Sequence, residues 1–537
     1  MAEIEFAINM KKMKFLVLIL FLGTVAFLEM SLNLSSPIAF GDEGLHTSIA
    51  RWIAAHQDYS VWIPQIGTSI YKIGFFRSPL FSILQGSFYF LFGFNELIAK
   101  LVVPFIAILT ALAVYLLVNK LYSQSVAVIA SVITMSVPSF VTYSILLYSD
   151  LLAAFFISIS VFSTLLAFKT NRRKYLFLAG ICGALSILAD ATGYVILAFF
   201  GLVFLYDIFK KRNIVHILKF WLPAIVIFAI IITPFFIRNE VYYKTLTCQF
   251  PNIFSTKYCT PEPNYTPKYN FEGVLSSGQP QIELFSSGII YWLNFAYGYV
   301  YFVPLFAIAG IVFVLHRKEN IDILLLISLF VFILIFYQSI ASRIEDLVRN
   351  LVSSTAVVAL LAALFANEIG EFMNKYKKGL IWVVIFFVLA VSFFMVKDRL
   401  DTLSSVKAFS PMFFEACDWV KQNLPQNAIL LSFNTAPTVY NCERQAQWNL
   451  VDGADIILSQ NVTLAKERLK ANGFTHIFIQ KFSLTQQKIQ AGYWVGFLDM
   501  LNQNSNSFKV VYENGPDLIT CVNQGGCDGT IIYEIVY

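Results

Sequence analysis

Two adjacent carboxylates, Asp42 and Glu43, lie in the stretch Gly41-Asp42-Glu43-Gly44-Leu45-His46, just beyond an apolar run. Carboxylates at the edge of a membrane are unfavourable unless used, so they mark a candidate site. The chemistry open to them is proton abstraction from a hydroxyl. An acidic pair at a helix N-terminus, favoured by the helix dipole, fits the same residues. Asp150, in Tyr148-Ser149-Asp150, heads a later apolar run and could cap its helix. His46 is a supporting polar group. The cationic candidates are Arg77, in Arg77-Ser78-Pro79-Leu80, and Arg343 and Arg349, which flank Glu345 and Asp346 in one short polar stretch. Arginine binds phosphate through planar, forked donors; local pairing of Arg343 or Arg349 with Glu345 or Asp346 competes with that role. Asp190 is a lesser candidate. Arg238 and Lys244 fit interface anchors. Glu43 and Asp150 could ligate a divalent cation, although no spacing demands one.

These residues must be held by membrane helices. The chain has 537 residues, 58% of them apolar and 13% charged, with a mean hydropathy of +0.68. A soluble domain is about half apolar and a quarter charged. A cytosolic enzyme, a disordered chain and a disulfide-framework mini-protein are excluded. The net charge of +5 argues little for nucleic acid, because basic residues in membrane proteins mostly record topology. Apolar runs long enough to span predict eleven transmembrane helices, near 15–32, 97–118, 124–141, 151–168, 175–190, 194–209, 219–237, 297–315, 321–340, 351–366 and 379–396.

With eleven spans, every basic cluster, from Lys11/Lys12/Lys14 to Lys375/Lys377/Lys378, falls on one side. The positive-inside rule makes that side cytoplasmic, with the N-terminus inside and the C-terminus outside. Residues 75–94 are apolar enough to cross, but crossing would invert every later cluster. They are therefore expected to form a juxtamembrane or re-entrant element. The first run is expected to stay as a helix rather than leave as a signal peptide, since no A-x-A site follows it. The expected membrane domain is 1–396, with outer loops at 33–95 and 238–296.

Residues 397–537 have the composition of a soluble α/β domain, expected outside. ILLSF, HIFI and TIIYEIVY read as strands, and 411–424, 462–472 and 485–505 as helices. Cys248/Cys259, Cys417/Cys442 and Cys521/Cys527 are disulfide candidates, because all six fall outside in this topology; six unrelated thiols remain open. Cys182 stands alone in a membrane helix. Sequons begin at Asn33, Asn264 and Asn461. There is no Walker loop, no GxGxxG after a strand and no HExxH, and the inside loops are too short to build a nucleotide domain. Outer-face chemistry must draw on another source, such as a lipid-linked activated donor.

In this order the residues resemble a family. One membrane helix is followed by Asp42-Glu43, by Pro79-Leu80 before an amphipathic segment, by Phe92-Gly93-Phe94-Asn95-Glu96, by Lys100-Leu101-Val102-Val103-Pro104, and by Asp150 at the head of the fourth helix. The pattern resembles the GT-C membrane glycosyltransferases, closest to the protein O-mannosyltransferases and the lipid A aminoarabinose transferase, over about residues 15–240. The resemblance implies inverting transfer of a monosaccharide from a polyprenyl-phosphate donor, such as dolichyl-phosphate mannose, to an acceptor hydroxyl on the outer face. It implies Asp42 as the catalytic carboxylate with Glu43 beside it, and Arg77 on the donor phosphate. Arg349-Asn350-Leu351 is similar to the family's Arg-Tyr-Leu, with Asn350 replacing the aromatic. Ala189-Asp190-Ala191-Thr192-Gly193 lacks the lysine that many relatives have there.

The chemistry agrees. Displacing a lipid phosphate needs a base and a charge clamp, not the two carboxylates of glycoside hydrolysis. The expected partners are the donor, a protein, lipid or glycan acceptor, and membrane lipids. The rivals are an oligosaccharide transferase or polymerase, against which stands the absence of Trp-Trp-Asp-x-Gly, a transporter, whose paired half-repeats are not seen, and a catalytically inert receptor or assembly factor.

Overall fold

The computed structural model describes residues 2–38, 42–57, 78–211, 214–243, 302–317, 319–342, 349, 351–406, 410–432, 435–447, 461–471, 473–481, 491–517 and 527–537. Arg77, Arg343, Lys244, Asn264, Cys248, Cys259, Cys521 and nearly all of the loop 238–296 lie outside them.

Each of the eleven segments expected to span falls on helix in its described residues, but not all are long enough to cross: Arg173–Ala189 has 17 residues and Phe302–Arg317 has 16. The first ten helices are α1 (Ala2–Ser35), α2 (Glu43–His56), α3 (Leu80–Phe92), α4 (Glu96–Leu121), α5 (Gln124–Ser136), α6 (Pro138–Ile145), α7 (Asp150–Thr170), α8 (Arg173–Ala189), α9 (Val195–Lys211) and α10 (Ile214–Tyr243). Helices Phe302–Arg317, Asn320–Ser342, Thr355–Tyr376 and Ile381–Val406 follow. Among the described residues, seven helices are long and apolar enough to cross a membrane, or eight if α5 and α6 form one broken span. Large apolar side chains such as Phe105, Ile230 and Phe386 are exposed on them. In water that would be a liability; in lipid it is the expected surface. The chain is an integral membrane protein.

The α5–α6 break bends the pair by 62°. Its cause is Pro138, which pushes Val137 to extended backbone (φ −60°, ψ 128°). Helix α3 has 13 residues, about 20 Å of helix against a hydrocarbon core of about 30 Å, so it is too short to span. It packs on α2, and Gly86 permits the close approach: a Cβ there would meet the Ala50 carbonyl at 3.0 Å and Ile53 at 3.1 Å.

The sequon at Asn33 is not available for glycosylation. Asn33 is buried inside α1 and donates through Nδ2 to the Lys100 carbonyl at 2.8 Å. The apolar run simply continues past it as helix.

Beyond residue 410 the chain forms a five-stranded sheet in the order β2-β1-β3-β5-β4. The strands are β1 (Ile429–Ser432), β2 (Gln445–Gln447), β3 (His476–Gln480), β4 (Phe508–Asn514) and β5 (Thr530–Ile535). β1 runs parallel to β2 and β3, whereas β5 is antiparallel to β3 and β4. Side chains alternate between faces. Leu431, Ile477, Ile479, Ile531 and Tyr533 pack with Leu469 and Phe497. Leu430, Phe478 and Ile532 pack with Phe413, Val420 and Val439 on the other side. Helices Val462–Ala471 and Ala491–Gln503 thus cover one face, and Pro411–Asn423 and Thr435–Cys442 the other. The expected strands and helices are present; β2, β4 and Thr435–Cys442 are additions. Cys417 and Cys442 form a disulfide, Cys527 is disulfide-bonded, and Cys182 is a buried free thiol.

Candidate active site

Asp42 sits at the N-cap of α2 without a capping side-chain bond, so its carboxylate is used elsewhere. Arg349 donates through Nη1 to Asp42 Oδ2 at 2.8 Å. Its Nε donates to both oxygens of Asp150, at 2.7 and 2.9 Å. Asp150 occupies the first turn of α7, and Ser149 takes the N-cap. Arg349 thus bridges two carboxylates distant in sequence; Glu345 and Asp346, its expected local partners, lie outside the described residues.

The two ends of that bridge differ in access. The Asp150 side chain is 1% exposed and that of Asp42 23%. Asp150 is therefore the buried anchor of the guanidinium, and Asp42 the more accessible carboxylate. Burial opposes the Arg349 charge, but Asp150 and Asp42 more than offset it and hold the pKa above its ordinary value. The Tyr148 ring lies under the same guanidinium, 5.0 Å from Cζ, in cation–π range.

The loop between α6 and α7 is stitched to the start of α2. The Asp42 N–H donates to Tyr148 Oη at 3.1 Å. The Leu147 N–H donates to Glu43 Oε1 at 3.2 Å, and Glu43 is itself buried. Burial and the neighbouring Asp42 and Glu43 carboxylates push the Tyr148 phenol far above its usual pKa, so it stays a neutral hydroxyl. In the last turn of α6, Ser144 donates to the buried Glu29 at 2.6 Å.

Asp190 extends the cluster. Ser149 donates to its Oδ2 at 2.6 Å, and the Thr192 N–H to its Oδ1 at 3.0 Å. The turn after it needs glycine, because a Cβ on Gly193 would run into the Ser186 backbone. Asp190 acts electrostatically on both Asp150 and Arg349.

Of the sequence candidates, the structure brings together Asp42, Glu43, Asp150 and Arg349, with the lesser candidate Asp190 beside them. His46 is turned away: it is buried between α2 and α3, with Nδ1 3.3 Å from Ser82 Oγ and its ring edge-on to Phe81. Tyr148 and Ser149 are functional neighbours that the sequence reading did not single out; a tyrosine two residues ahead of a helix-heading aspartate is the signal that marks them. Among the described residues no group of three or more His, Cys, Asp or Glu side chains could hold a metal ion. Asp150 spends both oxygens on Arg349, and Glu43 spends one on a backbone N–H.

Residues 77–237 match the family of dolichyl-phosphate-mannose-protein mannosyltransferases. The structure is similar to ArnT from Cupriavidus metallidurans in the apo state, with a TM-score of 0.65 at 14% identity over 96% of this chain and 97% of that one. The fold is GT-C. The archaeal oligosaccharyltransferase AglB from Archaeoglobus fulgidus, in complex with an inhibitory peptide and a dolichol-phosphate, gives a TM-score of 0.65 at 14% identity, over 93% of this chain and 73% of that one. The mycobacterial arabinofuranosyltransferase AftD gives 0.55 at 12% identity, over 96% of this chain and 40% of that one. No curated protein sequence matches. The matched segment runs from Arg77 through α3–α9 into α10, and so carries Tyr148, Asp150 and Asp190.

Proposed function

We propose that this GT-C protein is an inverting glycosyltransferase that moves a monosaccharide from a polyprenyl-phosphate donor to an acceptor hydroxyl at the extracytoplasmic face. The observation that carries the reading is the Arg349 bridge: one accessible carboxylate and one oriented guanidinium, side by side at the end of membrane helices.

Asp42 takes the proton from the acceptor hydroxyl. The acceptor oxygen then bonds to the anomeric carbon as the bond from that carbon to the phosphate oxygen breaks. The polyprenyl phosphate leaves with the electron pair. Arg349 meets that growing charge with its Nη2 donors while Nε and Nη1 remain on Asp150 and Asp42. Arg77 is the second phosphate ligand in this reading. Asp150, Tyr148 and Glu43 position these groups. The apolar side chains exposed on the membrane helices suit the donor's polyprenyl chain.

Support for a lipid-linked donor comes from the mannosyltransferase match over 77–237 and from the ArnT structure bound to undecaprenyl phosphate, similar with a TM-score of 0.61.

The test is transfer of labelled sugar by purified protein in detergent. Polyprenyl-phosphate mannose and polyprenyl-phosphate aminoarabinose are the donors, and a membrane extract supplies the acceptor. Transfer from either, with inverted anomeric configuration, is expected. Failure with both, together with no binding of polyprenyl phosphate, would contradict the reading.

A further inference from the structure

The segment that carries Asp42 is gripped on both flanks by two consecutive residues of the C-terminal part of the chain, Tyr440 and Asn441. Tyr440, Asn441 and Cys442 end the helix Thr435–Cys442. Asn441 donates through Nδ2 to the Ile38 carbonyl at 2.9 Å, four residues before Asp42. Tyr440 accepts from Arg51 Nη2 at 3.0 Å, nine residues after Asp42 and on α2. Its ring also stacks under that guanidinium, with Cζ 4.3 Å from the centroid. The Tyr440 hydroxyl in turn donates to Glu96 Oε1 at 3.1 Å at the start of α4, where Glu96 pairs with Lys100 at 3.1 Å. Tyr440 and Ile38 are buried. Cys442, the next residue, is fastened by its disulfide to Cys417 on the helix Pro411–Asn423, which lies against the central sheet.

We propose that the helix Thr435–Cys442 is a clamp that sets the position of Asp42, with Tyr440 and Asn441 as positioning residues and the Cys417–Cys442 disulfide holding the clamp to its own domain. The proposal rests on the glycosyltransferase reading for its effect on rate. Arg51 and Glu96 carry opposite charges on two different membrane-domain helices, and one hydroxyl serves both. Removing it loosens α2 at one end, and reacting groups displaced by an ångström lose much of their rate. The disulfide shortens the chain path between the clamp and the sheet, so the docked geometry transmits to α2 rather than being absorbed within the helix Thr435–Cys442.

The experiment uses the full chain in detergent with two readouts. One is the steady-state rate of transfer from a polyprenyl-phosphate sugar; the other is hydrogen exchange of the α2 amides. The variants are Tyr440→Phe, Tyr440→Ala and the double substitution Cys417→Ser/Cys442→Ser. Faster α2 exchange is expected in all three. The kcat should fall by about threefold to tenfold for Tyr440→Phe and about 10- to 100-fold for Tyr440→Ala, with donor KM unchanged. Tyr440→Phe keeps the ring under Arg51, so it remains informative if Tyr440→Ala fails to fold. Unchanged α2 exchange in Tyr440→Phe and in the double variant would overturn the clamp. Faster exchange with unaltered kcat would overturn its positioning role. Wild-type protein inert toward every donor would remove the glycosyltransferase reading, while the exchange result would still decide the clamp.

Discussion

Arg349 and Asp42 lie 307 residues apart in sequence and 2.8 Å apart in space. That contact joins the start of α2 to the stretch ahead of the helix Thr355–Tyr376, and Asp150 on α7 closes it from the other side. Three parts of the membrane domain thus meet at one guanidinium. The geometry depends on a forked donor, since one atom serves Asp150 and another serves Asp42.

Replacing Arg349 by lysine should separate charge from fork. A lysine ammonium is a point charge on a flexible stem and cannot hold both carboxylates in one plane. The kcat is expected to fall by about 10²-fold, with the protein still folded. Arg349→Met should do worse, leaving Asp150 buried without its counter-charge and destabilising the fold by about 3 kcal/mol or more. Steady-state rates and thermal unfolding of the two variants check this. Near-wild-type transfer by Arg349→Lys would contradict it.

Tyr148→Phe keeps the ring beneath Arg349 but removes the acceptor for the Asp42 N–H. The expected loss is about 1 kcal/mol of stability and a modest fall in rate. Because the phenol is held neutral far into alkali, the pH–rate profile of Tyr148→Phe should keep the shape of the wild-type profile. A lost alkaline limb would show that Tyr148 titrates during turnover, against this account.

His476 offers a pH test remote from the site. It lies in β3, opposite Glu534 on β5, and burial lowers its pKa from 6.5, only partly countered by Glu534. The unfolded chain therefore takes up a proton near pH 6.5 before the folded one does, and stability is lost as pH falls below that value. His476→Gln should flatten this dependence. Melting curves between pH 7.5 and pH 5 are the measurement; identical slopes for the two proteins would contradict it.

The apolar runs made the helices readable, because a span is encoded by length and composition within one segment; their number was over-read, since seven or eight of the described helices, not eleven, are long and apolar enough to cross. Asp42 and Asp150 were readable for the same local reason: each is a carboxylate at the end of an apolar run. Arg349 was readable as a phosphate-binding residue type but not in its partners. Its nearby acids, Glu345 and Asp346, offered a local pairing, and only the tertiary packing of α2 and α7 brings Asp42 and Asp150 to it. The chain did not disclose that His46, one turn into α2, faces α3 rather than the site, since both faces of that helix are partly apolar. Strand β4 escaped the sequence reading because Lys509, Val510 and Glu513 are all exposed and an irregularity between Val510 and Tyr512 shifts its register, so no strict alternation runs through it. Tyr440 and Arg51 carried no signal at all. Their meeting depends on how two separately patterned regions dock.

The most direct measurement is the rate of sugar transfer by Asp42→Asn beside wild type, at saturating polyprenyl-phosphate donor, with melting temperature and donor binding recorded for both. Asparagine keeps the shape of Asp42 and its oxygen for Arg349 Nη1 but cannot accept a proton from the acceptor. The account predicts that kcat falls by about 10²- to 10⁴-fold while folding and donor binding are retained. Transfer by Asp42→Asn at the wild-type rate would contradict Asp42 as the base.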